Sequence, residues 1–371
     1  GEEGDYKKLY DLCTTSTKPL ICFGGGSKSL KQIEFIDKLV ELKIPFITTL
    51  MGAERVPESD LHCHMVGTYG NREANWAVQN CDLLIVLGAR MDVRQTGAKI
   101  DDFARNAKVV QVDIDFYQLN NRVKGDLNIN SSIDDFYQRF KITNSTFSSF
   151  NQSWQDDVIK QKDKFNKDEY SDWSISPTKI LSTLNKTFTG ENVHYVCDVG
   201  NNQMWSAQTL RLSKGQTIHQ CGGLGAMGFA LPAAIGIALA SNEKVVVISG
   251  DGGIQVNIQE LEVIQRLNLN ISIVILNNFV LGMVKNFQDM YFEGRDQSTR
   301  IGYGVPSFCN IANAYNIESI KVEKMEDVES AFEKAKSPSP LLIEILMKEA
   351  IECRPRLAFG SKLDDQFPYL K

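Results

Sequence analysis

Two polar turns in the second half of the chain carry side chains suited to gripping a cation and an anion together. Gly250-Asp251-Gly252-Gly253 sets a carboxylate among glycines, and Asn277-Asn278 offers an amide oxygen further along. Glycines let a backbone approach an anion closely, and a helix beginning behind Gly253 presents free N–H groups and the positive end of its dipole. A carboxylate and an amide oxygen are hard ligands. Completed by a backbone carbonyl and water, they suit Mg²⁺ bridging to phosphate oxygens. On its own, Gly-Asp-Gly is also the mark of a tight turn with an Asp cap. The second polar turn, reached after one helix and one strand, favours the Mg²⁺–diphosphate reading.

Such turns need strands behind them. Val245 to Ile248 is a short β-branched run, Ile258, Leu261, Ile264 and Leu267 recur at helical spacing, and Ile271 to Leu276 is a second apolar run. Strand, glycine turn, helix, strand and polar turn make a right-handed crossover, so both turns lie at the carboxyl end of one parallel sheet, where open α/β sheets bind ligands. The alternation recurs. Lys18–Phe23 leads through Gly24-Gly25-Gly26 to an amphipathic Leu30–Leu42 and a strand at Pro45–Leu50. Ala77–Gly88, Lys108–Asp115, His194–Asp198 and Leu341–Leu346 read as further strands, and Ser176-Pro177-Thr178 as a capped helix start. The expected fold is α/β, with two doubly wound parallel-sheet domains and helices on both faces of each. Their ranges are 1–165 and 172–371, divided within the polar stretch Thr143–Trp173, read as a surface connection with one helix. A length of 371 residues supports two such cores.

Composition narrows the function. Charged residues make up 23% of the chain and the net charge is −6, without a Lys/Arg block, which argues against a nucleic-acid surface. No apolar run approaches the ~20 residues needed to span a bilayer, and GEEGDYKKLYDLC has no signal-peptide character. Eight cysteines without framework spacing read as reduced core residues of a cytoplasmic protein. His62-Cys63-His64 offers two imidazoles, but on neighbouring loop residues with no partner cluster they argue against a metal.

With these residues in view, a resemblance enters. Gly250-Asp251-Gly252 followed by Asn277-Asn278 resembles the diphosphate motif of thiamine diphosphate enzymes. Leu281-Gly282-Met283-Val284 and Tyr291-Phe292-Glu293-Gly294-Arg295 resemble the acetolactate (acetohydroxyacid) synthase branch. The resemblance implies that Asp251, Asn278 and the Val280 carbonyl hold Mg²⁺, and that Gly250, Gly252 and Gly253 border the diphosphate of thiamine diphosphate. The family's Val-Gly-Gln-His-Gln-Met-Trp turn is here Val199-Gly200-Asn201-Asn202-Gln203-Met204-Trp205, so Asn201 and Asn202 stand where Gln and His hold diphosphate, with shorter reach. Gly222–Gly236 by itself reads as close helix packing. The resemblance instead implies a cofactor-binding Gly225 carbonyl and a Met227 that props the bent cofactor. A helix Leu281–Gln288 would cover the cofactor, with Met283 and Phe287 on one face. Phe287 replaces the family's Trp, a residue associated with the acceptor substrate, and Gln297–Arg300 would belong to a mobile lid.

In the first half, Arg90, Asp92, Arg94, Thr96 and Gly97 match the family's flavin-binding Arg-Phe-Asp-Asp-Arg-Val-Thr-Gly, while Met91, Val93 and Gln95 depart from it. FAD is therefore a further candidate ligand, at Gly24, Gly25, Gly26, Arg90, Asp92 and Arg94, with Gly67-Thr68-Tyr69-Gly70 nearby. Read without the resemblance, these are equally a tight βα connection and a salt-bridged loop.

The activity implied is a thiamine diphosphate- and Mg²⁺-dependent decarboxylation of a 2-keto acid, with transfer of the two-carbon unit to a second one, by a homodimer or homotetramer. A flavin-linked pyruvate oxidase-like enzyme and a non-catalytic binding protein of the same fold are the alternatives. The family's activating glutamate lies on a preceding domain that has no counterpart here, so no catalytic residue is assigned. The chain is expected to be a fragment, inactive alone. Its tail, ending SKLDDQFPYLK, resembles extended acetolactate synthase-like proteins among carbohydrate-biosynthesis enzymes.

Overall fold

The computed structural model describes residues 1–348 and 350–370. It divides into two units, Gly1–Lys167 with Arg354–Lys371, and Asp168–Cys353. Each contains one all-parallel six-stranded sheet with helices packed against it.

In the first unit the strands are β1 (Pro19–Phe23), β2 (Phe46–Thr48), β3 (His62–Met65), β4 (Leu83–Leu87), β5 (Lys108–Asp113) and β6 (Leu127–Asn130), in the order β3-β2-β1-β4-β5-β6. The central strands β1 and β4 are buried at every position, because helices cover both faces. Their side chains alternate between two cores. Ile21, Phe23, Leu83, Ile85 and Leu87 enter one, while Leu20, Cys22, Leu84 and Val86 enter the other.

The second unit repeats the plan with β7 (Val193–Cys197), β8 (Gln216–Gln220), β9 (Lys244–Gly250), β10 (Ile271–Asn277), β11 (Glu318–Val322) and β12 (Leu341–Leu346), ordered β11-β12-β10-β9-β7-β8. Val245 and Val247 pack with Ile271, Ile273 and Ile275 on one face of the sheet. Among the described residues no helix is long and apolar enough to cross a membrane.

The structure departs from the sequence reading in several places. Ala77–Asn80 closes the helix Arg72–Asn80, and the strand begins only at Leu83. The polar stretch after Thr143 does hold one helix, as expected, but that helix is not wholly at the surface. Asn151 caps a helix Gln152–Phe165, whose Trp154 is buried, stacked on Trp76 at 5.4 Å, and donates from Nε1 to Pro19 O at 3.0 Å. The range 172–371 assigns too much to the second domain, since residues 354–371 return to the first. There Leu357 and Leu363 enter a core, Leu357 N donates to Thr68 O at 2.8 Å, and Gln366 Nε2 donates to Gly70 O at 2.7 Å. An irregular tail gains order because two leucines have an apolar face to bury against.

Strand order fixes where ligands fit. In the first unit the chain leaves β1 toward β2 and leaves β4 toward β5, in opposite directions. In the second, β7 leads to β8 on one side and β9 to β10 on the other. Each sheet therefore has a switch point, between β1 and β4 and between β7 and β9, and a crevice outside the carboxyl ends is the expected binding place.

Candidate functional site

At the second unit's switch point a cavity of about 200 Å³ opens between the turn after β7 and the turn after β9. Asn201, Asn202, Gly250, Asp251, Gly252 and Gly253 line it from those turns. Asn278, Val280 and Met283 line it from the chain leaving β10, and Gly225 and Met227 from the loop before the helix Ala230–Ser241. The parallel register explains the meeting. Gly250 is opposite Leu276, so Asp251 and Asn278 leave adjacent strands at nearly the same height.

Asp251 is the most unusual group in the cavity. It is 2% exposed, and Gly252 N donates to its Oδ1 at 3.0 Å. Its Oδ2, also buried, accepts no hydrogen bond. Burial pushes the carboxyl up to about 7, opposed by the N–H groups of Gly252 and Phe279. The Phe279 N–H itself goes to Asn277 Oδ1 at 3.1 Å. A buried carboxylate oxygen lacking a partner is costly unless a cation completes it.

The two asparagines after β10 divide their work. Asn277 turns into the sheet and donates to Glu344 Oε1 at 2.9 Å. Asn278, which lines the cavity, donates from Nδ2 to Ala350 O at 2.6 Å, and its Oδ1 accepts only a long bond from Val280 N at 3.4 Å. Phe279 takes a positive φ of 62°, a sparsely used conformation for a side chain of that size.

Asn201 and Asn202 line the cavity, but the NH₂ of Asn202 is spent on main-chain carbonyls, and that of Asn201 commits one of its two N–H groups to another. Asn202 Nδ2 donates to Asp198 O at 2.8 Å and Ile248 O at 3.1 Å, and Asn201 Nδ2 donates to Ile351 O at 3.3 Å. Their short side chains reach the nearest main-chain carbonyls and stop there. The first turn of the helix Asn201–Thr209, whose cap Gly200 has φ 135°, also starts at this wall of the cavity, where main-chain N–H groups lack intrahelical partners.

The glycines have neighbours of their own. A Cβ on Gly252 would lie 2.4 Å from Leu281 Cδ2 and 3.0 Å from Met227 Cε, and one on Gly253 would lie 2.4 Å from Asp198 Oδ1. Residues 222–229 are not the packed helix that their small side chains suggest. They form an irregular loop in which Gly225 and Gly228 have φ of 72° and 86°. Phe287 lies outside the cavity lining, packed on Tyr291 at 4.8 Å and half exposed, so it does not share Met283's role although both sit on the helix Gly282–Tyr291.

Sequence reasoning missed Asp198. This buried carboxylate ends β7 and accepts from Val199 N at 2.8 Å, Gly228 N at 2.9 Å and Ala230 N at 3.0 Å. Burial raises its pKa and those three N–H groups lower it. It ties the loop carrying Gly225 and Met227 to the sheet. An Asp directly after the apolar run of β7 was the available signal. Trp205, Leu281 and Gly282 also line the cavity.

The candidate flavin residues have structural employment. A Cβ on Gly24 would fall 2.2 Å from Gly88 O, and Gly26 N donates to Gly88 O at 2.8 Å, so the glycine turn lies directly on the end of β4. A Cβ on Gly25 would meet Met51 Cβ at 3.0 Å. Asp92 caps the short helix Val93–Thr96 by accepting from Arg94 N at 2.9 Å, and exposed Arg90 pairs with Asp92 at 3.4 Å.

Comparison with known proteins bears on both units. The model for the "Thiamine pyrophosphate enzyme, central domain" matches residues 6–140, and that for the "Thiamine pyrophosphate enzyme, C-terminal TPP binding domain" matches residues 198–345. The acetolactate synthase large subunit of Porphyra purpurea is 37% identical over 354 residues, covering 93% of this chain and 59% of that protein. The acetolactate synthase large subunit of Lactococcus lactis is 33% identical over 374 residues, 98% of this chain and 64% of that protein. The chloroplastic acetolactate synthase 1 of Zea mays is 34% identical, over 97% and 58%. The chain thus spans about three fifths of the length of these curated relatives.

Proposed function

The chain belongs to the thiamine pyrophosphate enzymes, carrying their central domain and their C-terminal TPP-binding domain, and on that premise we propose that the second unit holds thiamine diphosphate through Mg²⁺ in a 2-keto acid decarboxylase and carboligase of the acetolactate synthase kind. One observation carries the metal half of this reading: the buried Asp251 carboxylate with an Oδ2 that accepts no hydrogen bond, facing the same cavity as Asn278. The donor set is all oxygen, as Mg²⁺ demands. Asp251 and Asn278 would supply side-chain oxygens and Val280 its main-chain carbonyl.

When bound, thiamine diphosphate supplies the carbanion chemistry of keto acid decarboxylation and two-carbon transfer. The residues of this chain anchor and orient it. Main-chain N–H groups at the start of the helix Asn201–Thr209 would serve its anionic end. Met227 and Leu281 both lie close to Gly252 and give the cavity apolar lining. Asp198 acts through others, as a positioning residue that holds the loop bearing Gly225 and Met227. A flavin-linked reaction has less support, because the glycines and Asp92 of the first unit are already occupied by contacts within the chain.

Calorimetric titration with thiamine diphosphate tests the reading. Binding is expected with Mg²⁺ present, to vanish when Mg²⁺ is chelated, and to weaken at least tenfold in Asn278→Ala. Binding indifferent to Mg²⁺ would overturn the metal assignment. Release of CO₂ from pyruvate, followed by acetolactate formation in the protein carrying whatever further domains accompany it, tests the activity.

A further inference from the structure

The edge strand β3 contains a constellation that the thiamine diphosphate site does not use. Against the three residues Phe46–Thr48 of β2, β3 sets the four residues His62–Met65, with a register shift. His64 sits in that bulge with φ 66°, a conformation that re-aims a side chain out of the alternating pattern. The result brings the two imidazoles together, with ring centroids 4.9 Å apart and both rings buried. Glu58, in the segment entering the strand, adds a carboxylate, and the ligand atoms of Glu58, His62 and His64 all lie within 4.8 Å of one another.

The outer contacts orient these groups as a metal site requires. His64 Nδ1 meets Glu73 Oε1 at 2.7 Å, and its Nε2 meets Glu58 Oε2 at 3.0 Å. A carboxylate on one ring nitrogen, with the other turned toward a cluster of donors, is the carboxylate–imidazole–metal arrangement that fixes ring orientation and raises basicity. His62 is held flat against Phe46, with centroids at 5.1 Å and planes 13° apart. Tetrahedral ligand atoms around Zn²⁺ are about 3.3 Å apart, between the 3.0 Å of the His64–Glu58 pair and the 4.8 Å bound on the set, within reach of side-chain torsions. Glu58 is more than a third exposed, which leaves a side for water as the fourth ligand.

We propose that Glu58, His62 and His64 bind a divalent cation of the zinc class, with Glu73 as the orienting group. Two imidazoles and one carboxylate select a borderline-soft ion, whereas the oxygen donors around Asp251 select Mg²⁺. The site lies wholly in the first unit and does not depend on the function proposed for the second. Metal binding would replace the His64 Nε2–Glu58 contact, and Lys162, 3.3 Å from Glu58 Oε1, would keep its bond to Ser59 O at 2.8 Å.

Chelator-treated full chain titrated with ZnCl₂ should take up one Zn²⁺. Titration with Co²⁺ should give a tetrahedral visible spectrum lacking a thiolate charge-transfer band. Glu58→Gln, a substitution at an exposed position that leaves the core untouched, should weaken Zn²⁺ at least tenfold. Glu73→Gln should weaken it ~10–100-fold, and His64→Gln should abolish it. Zn²⁺ uptake unchanged in Glu58→Gln, a thiolate band with Co²⁺, or no uptake at micromolar Zn²⁺ by the folded chain would each overturn the proposal.

Discussion

The chain builds a switch-point crevice twice, once between β1 and β4 and once between β7 and β9, and it closes the first with its own backbone while leaving the second open. Both crevices are edged by glycines. In the first unit Gly24 and Gly26 bring one turn onto Gly88, itself at φ 56°, so the turns touch main chain to main chain. In the second a Cβ on Gly250 would meet Asn202 Oδ1 only at an ordinary 3.4 Å, and a cavity separates the turns. A glycine at a strand end therefore signals close approach, but the approaching partner can be a ligand or another turn. The charged groups differ likewise. Asp92 is spent on a helix cap, while Asp251 retains an oxygen with no protein partner.

The largest expected effect falls on Asp251→Asn. In the wild type, Mg²⁺ plus thiamine diphosphate at about a hundred times Kd should stabilise the fold by ~2.7 kcal/mol through linkage, read as a rise in Tm. Asp251→Asn should lose that rise. Without ligand at pH 8 it should be no less stable than wild type, since it removes a carboxylate that burial disfavours. Asp92→Asn should keep the full rise. If Asp92→Asn lost it instead, the contrast between the two crevices would fail.

Next in size is a matched pair of glycine substitutions. Gly24→Ala drives a Cβ into Gly88 O and should cost ~1–3 kcal/mol by overpacking. Gly250→Ala meets only an ordinary contact at a φ of −85° and should stay within about 0.5 kcal/mol. Urea midpoints of the two variants check this, and equal losses would mean that the second crevice is as closed as the first.

The pH dependence is of order a factor of ten per unit. Protons compete with Mg²⁺ for Asp251, so affinity should fall by up to tenfold per pH unit below about 7 and level off above it. Stability of the ligand-free protein runs the other way. The folded pKa lies above the unfolded 3.8, so this group's contribution is whole below pH ~4 and is lost as pH rises through about 7. Calorimetry between pH 5.5 and 8.5, a span of roughly one and a half units on either side, reads both slopes.

Much of this arrangement was legible in the sequence, and what was not follows a physical rule. The strands recognised from apolar runs are the interior ones of each sheet, whose two faces are both buried. The strands that escaped, β3 (HCHM), β6 (LNIN), β8 (QTIHQ) and β11 (ESIKV), are the outermost pair of each sheet, where polar residues are tolerated. The cavity's lining could be anticipated because it sits on turns directly after recognisable strands. Roles that depend on long-range contacts could not. Asp198 matters through Gly228 and Ala230, and Asn202 loses its free NH₂ to Ile248. His62 and His64 looked like a loop without partners because β3 is a polar edge strand, and Glu73 reaches His64 only once the helix Arg72–Asn80 has packed.

The smallest expected effect is the most exacting test of the closed crevice. Arg90 is 61% exposed and its pairing with Asp92 at 3.4 Å lies in solvent, so Arg90→Ala should change stability by less than about 0.5 kcal/mol. Asp92→Ala should cost ~1 kcal/mol, because it removes the oxygen that accepts from Arg94 N, and the gap between the variants separates the cap from the ion pair. The same Arg90→Ala protein, titrated with FAD and followed by flavin fluorescence, then addresses the ligand. With Gly24 and Gly26 already in contact with Gly88 and with Asp92 committed to its cap, wild type and Arg90→Ala should give the same titration curve. A saturable signal present in wild type and absent in the variant would mean that the turns part to admit a flavin, and the two switch points would then differ in what they bind rather than in whether they open.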